Sequence, residues 1–95
     1  MMIIGACTIE LRLPGNHSLK GKRHILKPLL NRLRREFNLA VAEVAQNDHW
    51  QLAEIAFVTV ANDPGRVHAL LEKAVRWIET YRPDVQVVDW QIEIL

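Results

Sequence analysis

Ser18 to Phe37 reads SLKGKRHILKPLLNRLRREF, and its phase organises the rest of the chain. Leu19, Leu26, Leu29, Leu30, Leu33 and Phe37 recur at helical spacing and draw one apolar stripe. The same stretch holds seven of the chain's twelve Lys and Arg residues and a single acid, Glu36. This pattern predicts a helix over about 19–36, with one face in a core and the other charged and solvated. Ser18 is suited to cap it by accepting from a free first-turn amide. Pro28 removes the amide that would bond the His24 carbonyl, which predicts a kink or an irregular turn there. Gly21 weakens the first turn. The stripe passes both residues in phase, so one helix is expected, with Asn38 as its left-handed cap.

Working outward, residues 2–13, MIIGACTIELRL, alternate as a strand. Ile3, Gly5, Cys7, Ile9, Leu11 and Leu13 form its better core face. Pro14-Gly15-Asn16 is turn chemistry. After the helix, residues 39–46 and 51–61 read as two strands joined by a short loop, hence a hairpin. Both faces of that hairpin are rather apolar. Leu52, Ala56, Val58 and Val60 lie on one side of its second strand, and Ala53, Ile55, Phe57 and Ala61 on the other. Asp63-Pro64 is a strong helix start. Val67, Leu70, Leu71, Ala74, Val75 and Ile78 continue as a second stripe, and Pro83 ends that helix near Tyr81. Residues 85–94 alternate again, with Val88, Trp90, Ile92 and Ile94 together on one face.

The order β-α-β-β-α-β, with short right-handed connections, predicts an α+β ferredoxin-like sandwich. Its antiparallel four-stranded sheet takes the order 4-1-3-2, with both helices on one face. Ninety-five residues suggest one domain, 1–95. Leu26, Leu30, Leu33, Leu71 and Ile78 are the expected deep core.

The most specific blocks are Ser18, Leu19, Lys20, Lys22 and Arg23; then Asn38, Val41, Ala42, Glu43 and Val44; then Asp48, Trp50 and Gln51. With these blocks the chain closely resembles the YlxP family of small bacterial proteins over essentially its whole length. Gly21 departs from the charged residue, such as Glu, expected there. The resemblance implies a ferredoxin-like fold and a setting among translation genes, often near a ribosome-binding factor and an initiation factor. It implies no established activity.

Net charge is only +1, so a uniformly basic polyanion binder is excluded. Local asymmetry is large: residues 18–37 carry +6, which leaves −5 on the remainder. Lys20, Arg23, Lys27 and Arg34 fall along one helical stripe with Asn31 between them, and Lys22 and Arg35 flank the apolar seam. These residues are candidate phosphate ligands. A solvated face whose long stems cover apolar surface is the plainer alternative. Trp50, among Asp48, His49 and Gln51, is a candidate to stack on a base; the alternative has it fold back to close the sandwich. Asp48 beside His49 invites a general-base reading, but no nucleophile or second base lies near.

Cys7 reads as a small buried thiol in a strand. His17, His24, His49 and His68 lack ligand spacing, so no metal is expected. No nucleotide or other cofactor motif occurs. Gly65 opens a helix N-terminus that can hold an anion, although Asp63 is expected to use those donors. The first strand offers no outward aromatic and the third only Phe57, which argues against the sheet as a base-reading platform. No apolar run reaches membrane-spanning length. The N-terminus lacks the basic start of a signal peptide, so a cytoplasmic location is expected.

These observations converge on a non-enzymatic binding protein that contacts RNA or a ribosomal particle through the first helix. The alternative is a homodimeric structural or regulatory module, with the open sheet face buried in protein contacts and no nucleic-acid role.

Overall fold

Alternation in the first strand sets the sheet. In the computed structural model, which describes residues 1–95, β1 (Ile3–Arg12) buries Gly5, Cys7, Ile9 and Leu11 on one face. The order of elements is then α1 (Leu19–Glu36), β2 (Ala40–Ala45), β3 (Leu52–Ala61), α2 (Pro64–Tyr81) and β4 (Gln86–Ile94). Neighbouring strands are antiparallel in the order β2-β3-β1-β4, which is the ferredoxin-like sandwich. β1 lies between β3 and β4: Cys7 sits opposite Phe57 on one side and Ile92 on the other.

Both helices cover the face that carries Cys7, Ile9, Leu11, Ile55 and Phe57, all fully buried. α2 contributes Val67, Leu71, Ala74, Val75 and Ile78, and α1 contributes Leu26, Leu29 and Leu33. These residues join one continuous cluster. Gly5 is required by close approach: a Cβ there would collide with Val67 of α2. Asp63 caps α2, its carboxylate accepting from the Arg66 amide at 2.9 Å.

Four details differ from the sequence reading. Leu30 is only half-buried, and Leu29 takes its place in the core. The centre of the buried stripe therefore runs through 22, 26, 29 and 33. α1 ends on Phe37 in extended backbone, and Asn38 makes no left-handed cap. Instead the Asn38 carbonyl accepts from Thr59 Oγ1 at 2.7 Å. Pro28 is accommodated within an unbroken helix span. Finally, β4 carries a bulge: Glu10 pairs with Asp89 and Leu11 with Val87, so Val88 is skipped. The extra residue reverses the phase. Val87 shares the core face with Trp90, Ile92 and Ile94, and Val88 leaves it.

Candidate nucleic-acid interface on the first helix

The candidate ligands on α1 separate by phase. Lys20, Arg23, Lys27 and Arg35 are exposed on the outer face. Lys22 is not available. It falls on the core stripe with Leu26, Leu29 and Leu33 and is 2% exposed. Its ammonium lies 2.8 Å from Glu43 Oε2 on β2 and donates to the carbonyls of Gln46 at 2.6 Å and His49 at 2.9 Å. The Glu43 contact is close but off the angle of a hydrogen bond, so that buried oxygen has a charge partner only. A buried ammonium needs such a set of acceptors because desolvation otherwise disfavours its charge. Lys22 is thus a tie between the helix and the β2–β3 loop, which corrects its assignment as a phosphate ligand.

Arg34 is exposed yet partly committed. Its guanidinium donates to the Val41 carbonyl at 2.8 Å and to Asn31 Oδ1 at 2.9 Å. Arg32 pairs with Glu36 at 3.2 Å, the one ion pair along the outer face.

The Lys22 tie brings the second sequence candidate to the same end of the molecule. Residues 46–51 run beside the start of α1. Asn16, buried under the first turn, donates through Nδ2 to the carbonyls of Ser18 at 2.8 Å and Trp50 at 2.6 Å. Gln51 Nε2 returns a bond to the Asn16 carbonyl at 3.0 Å, and the Leu13 amide donates to the Gln51 carbonyl at 2.8 Å. Gly21 makes this possible, since a Cβ there would meet Asn16 Oδ1. The departure from a charged residue at 21 therefore gives room for a buried clamp. The Trp50 backbone is held from two sides while its side chain stays 52% exposed and does not fold back over the sandwich. His49 Nδ1 accepts from the Gln51 amide at 3.2 Å and makes no hydrogen bond with Asp48.

Between α1 and the β2 edge lies a groove of about 270 Å³. Leu19, Leu26 and Leu30 provide its apolar lining, and Arg23, Lys27 and Arg34 its cationic one, with Asn47 from the loop at one end. Leu30 is half-exposed because it lines this groove. A second hollow of about 350 Å³ joins Lys27, Arg32 and Arg35 to Tyr81 of α2. The Arg32 guanidinium sits 5.8 Å from the Tyr81 ring centroid. That ring stacks on Trp77 at 4.6 Å, and Trp77 meets Phe37 edge-on at 6.1 Å. Tyr81 thus borders the cationic face at its finish, and Trp50 stands exposed on the loop tied to the start of α1. Tyr81, Arg32 and His24, which lies between Arg23 and Lys27 on the same exposed surface, were not among the sequence candidates. For Tyr81 the signal was its position one turn after Trp77 at the end of α2.

Cys7 is buried, and desolvation pushes its thiol up to about 11. No helix is long and apolar enough to cross a membrane.

Residues 4–92 match the profile of a family described as "Protein of unknown function (DUF503)". The chain is 26% identical over 84 residues to the uncharacterized protein YlxP of Bacillus subtilis (strain 168), covering 88% of this chain and 90% of that one. Among solved structures it is similar to the de novo designed protein Foldit4, with TM-score 0.54 and 15% identity, covering 98% of this chain and 97% of the design. It is also similar to LFR1 1, a de novo design with a ferredoxin fold, with TM-score 0.50 and 13% identity, covering 100% of this chain and 84% of that one. At those identities the two designs speak for the fold alone.

Proposed function

The chain belongs to the DUF503 family, described as a protein of unknown function, and for it we propose a binding role: it holds RNA, free or within a ribosomal particle, on the outer face of α1. The reading rests above all on one juxtaposition. The loop that exposes Trp50 is tied to the start of the one helix whose outer face is strongly cationic. Cations that track phosphates beside an aromatic surface that stacks bases are the two ingredients of sequence-tolerant RNA binding. Lys20, Arg23 and Lys27 are the principal phosphate ligands, with Arg35 and Arg32 towards Tyr81. Lys22 serves this surface only by positioning the loop, and Arg34 only in part. The role is non-enzymatic and belongs to the cytoplasm, in keeping with the translation-gene setting that the family resemblance implies.

Fluorescence anisotropy with labelled single-stranded and structured RNA tests the reading. Three phosphate contacts predict a log–log salt slope of about −2 on single strands. Reversing both Arg23 and Lys27 to Glu removes about 1.4 of that slope and most of the affinity. Trp50→Ala weakens binding by about 1–3 kcal/mol per stacked base with the slope unchanged. Reversal of Lys73 and Arg76 on α2 is the control and leaves binding intact. No binding at low salt, or binding indifferent to the Arg23 and Lys27 reversal, overturns the proposal.

A further inference from the structure

The groove between α1 and β2 holds an acceptor that the fold leaves unfilled. Glu43 Oε2 is the one buried side-chain polar atom of the chain without a hydrogen bond. Buried polar atoms are otherwise paired almost without exception, so this one points to a partner outside the fold. Lys22 provides charge at 2.8 Å but directs its hydrogen bonds to the carbonyls of Gln46 and His49. The Glu43 side chain is 23% exposed and lines the groove, so its second oxygen can be reached from there. An ionised carboxylate only accepts. The partner it lacks is therefore an N–H or O–H donor.

The rest of the lining defines what carries that donor. Leu19, Leu26 and Leu30 make an apolar wall, and Arg23 and Lys27 stand beside it about one helical turn apart. Asn31 gives its oxygen to Arg34, which leaves its amide nitrogen to donate, and Asn47 closes one end. A ligand matched to all of these has an apolar surface, N–H donors on one edge and negative charge outside. We propose that the groove seats a single unstacked RNA base, with its edge on Glu43, its ring against the leucines and its phosphates on Arg23 and Lys27. This inference rests on the RNA reading and deepens it, because it adds a base preference that phosphate contacts do not carry. Guanine fits best, since its Watson–Crick edge sets two N–H donors side by side. Cytosine and adenine each offer an exocyclic amine. Uracil fits worst: its one N–H lies between two carbonyl oxygens, which the carboxylate repels.

Size and charge decide against other occupants. At about 270 Å³ the groove is slightly smaller than the ~300–1,000 Å³ clefts that hold small molecules. It takes one ring system and not a helix. It also does not take a duplex, whose base edges are already paired and stacked. An acidic peptide would satisfy the cations, but its carboxylates bring no donor to Glu43 and are repelled by it.

Anisotropy titrations at fixed low salt test the proposal with an all-uridine strand and the same strand carrying one central guanosine. The guanosine strand binds at least about fivefold tighter. A strand with inosine in that place, which lacks the exocyclic amine, falls between the two. The salt slopes are equal, since the phosphate contacts are the same. Leu30→Ala and Glu43→Gln each remove most of the guanosine advantage, with a melting curve to show that the fold is kept. Should Glu43→Gln unfold, Leu30→Ala alone decides, because it leaves Lys22 and Glu43 in place. Equal affinity for the guanosine and all-uridine strands overturns this proposal and leaves the RNA reading standing. No binding of either strand overturns both. A guanosine advantage that survives Leu30→Ala seats the base elsewhere and also overturns it. So does a Glu- and Leu-rich peptide that displaces the guanosine strand more effectively than the same strand unlabelled, since the groove then belongs to a protein partner.

Discussion

The two helices occupy equivalent places in the sandwich and differ in what they do with charge. Each spans 18 residues, each starts from a side-chain cap, and each buries an aliphatic stripe. On α2 the polar face is balanced along its own length. Glu72 pairs with His68 at 2.9 Å and with Arg76 at 3.7 Å, one turn away on either side. On α1 the outer cations outnumber the single acid, and Glu36 satisfies only Arg32. Packing does not require this asymmetry, since α2 packs as well without it. Unneutralised charge lowers stability by self-repulsion unless an outside partner offsets it. In the proposed reading this difference separates α1, the binding surface, from α2, the scaffold.

The comparison can be broken most severely at the tie that only α1 possesses. Lys22→Ala leaves Glu43 facing a void and two carbonyls unpaired, and is expected to cost about 3 kcal/mol in a denaturant titration. Lys22→Met with Glu43→Leu recovers much of that loss, because an ion pair taken out of water can be matched by well-packed apolar groups. If Lys22→Ala proves neutral, the helix is not anchored in this way and Trp50 is not held in place. An effect of comparable size tests the phase of the stripe. Leu29→Ala should cost about 2–5 kcal/mol and Leu30→Ala clearly less, since only Leu29 is fully buried. Equal costs would put the seam back where the sequence suggested. The smallest effect belongs to α2. Glu72→Gln releases both His68 and Arg76 and should cost about 0.5 kcal/mol, with the loss fading at high salt. A larger loss would mean that α2 depends on charge as α1 does.

The six elements were legible in the sequence to within a residue or so, because alternation, the two stripes and Asp63-Pro64 all agree with one topology. The site was less so. Lys22 sits among Lys20 and Arg23, and placing it on the flank of the apolar seam still left it as a candidate phosphate ligand. Its spacing to Leu26, Leu29 and Leu33 does put it on the buried stripe. Recognising that requires a buried acid across the fold, and Glu43 lies 21 positions away in sequence. Gly21 looked like a weak point because Asn16, which fills the space it leaves, belongs to a turn. The β4 bulge was invisible because a skipped residue depends on the partner strand's register and not on its own composition. Tyr81 reached the cationic face only through the packing of one helix end against the other.

Arg34 carries a last consequence. β2 is an edge strand of six residues with its own bulge at Val44, and its flank is open to any passing chain. By seating its guanidinium on the Val41 carbonyl, Arg34 occupies a group that a foreign strand would use to extend the sheet. A strand seeking to pair there would first have to displace the Arg34 guanidinium from that acceptor.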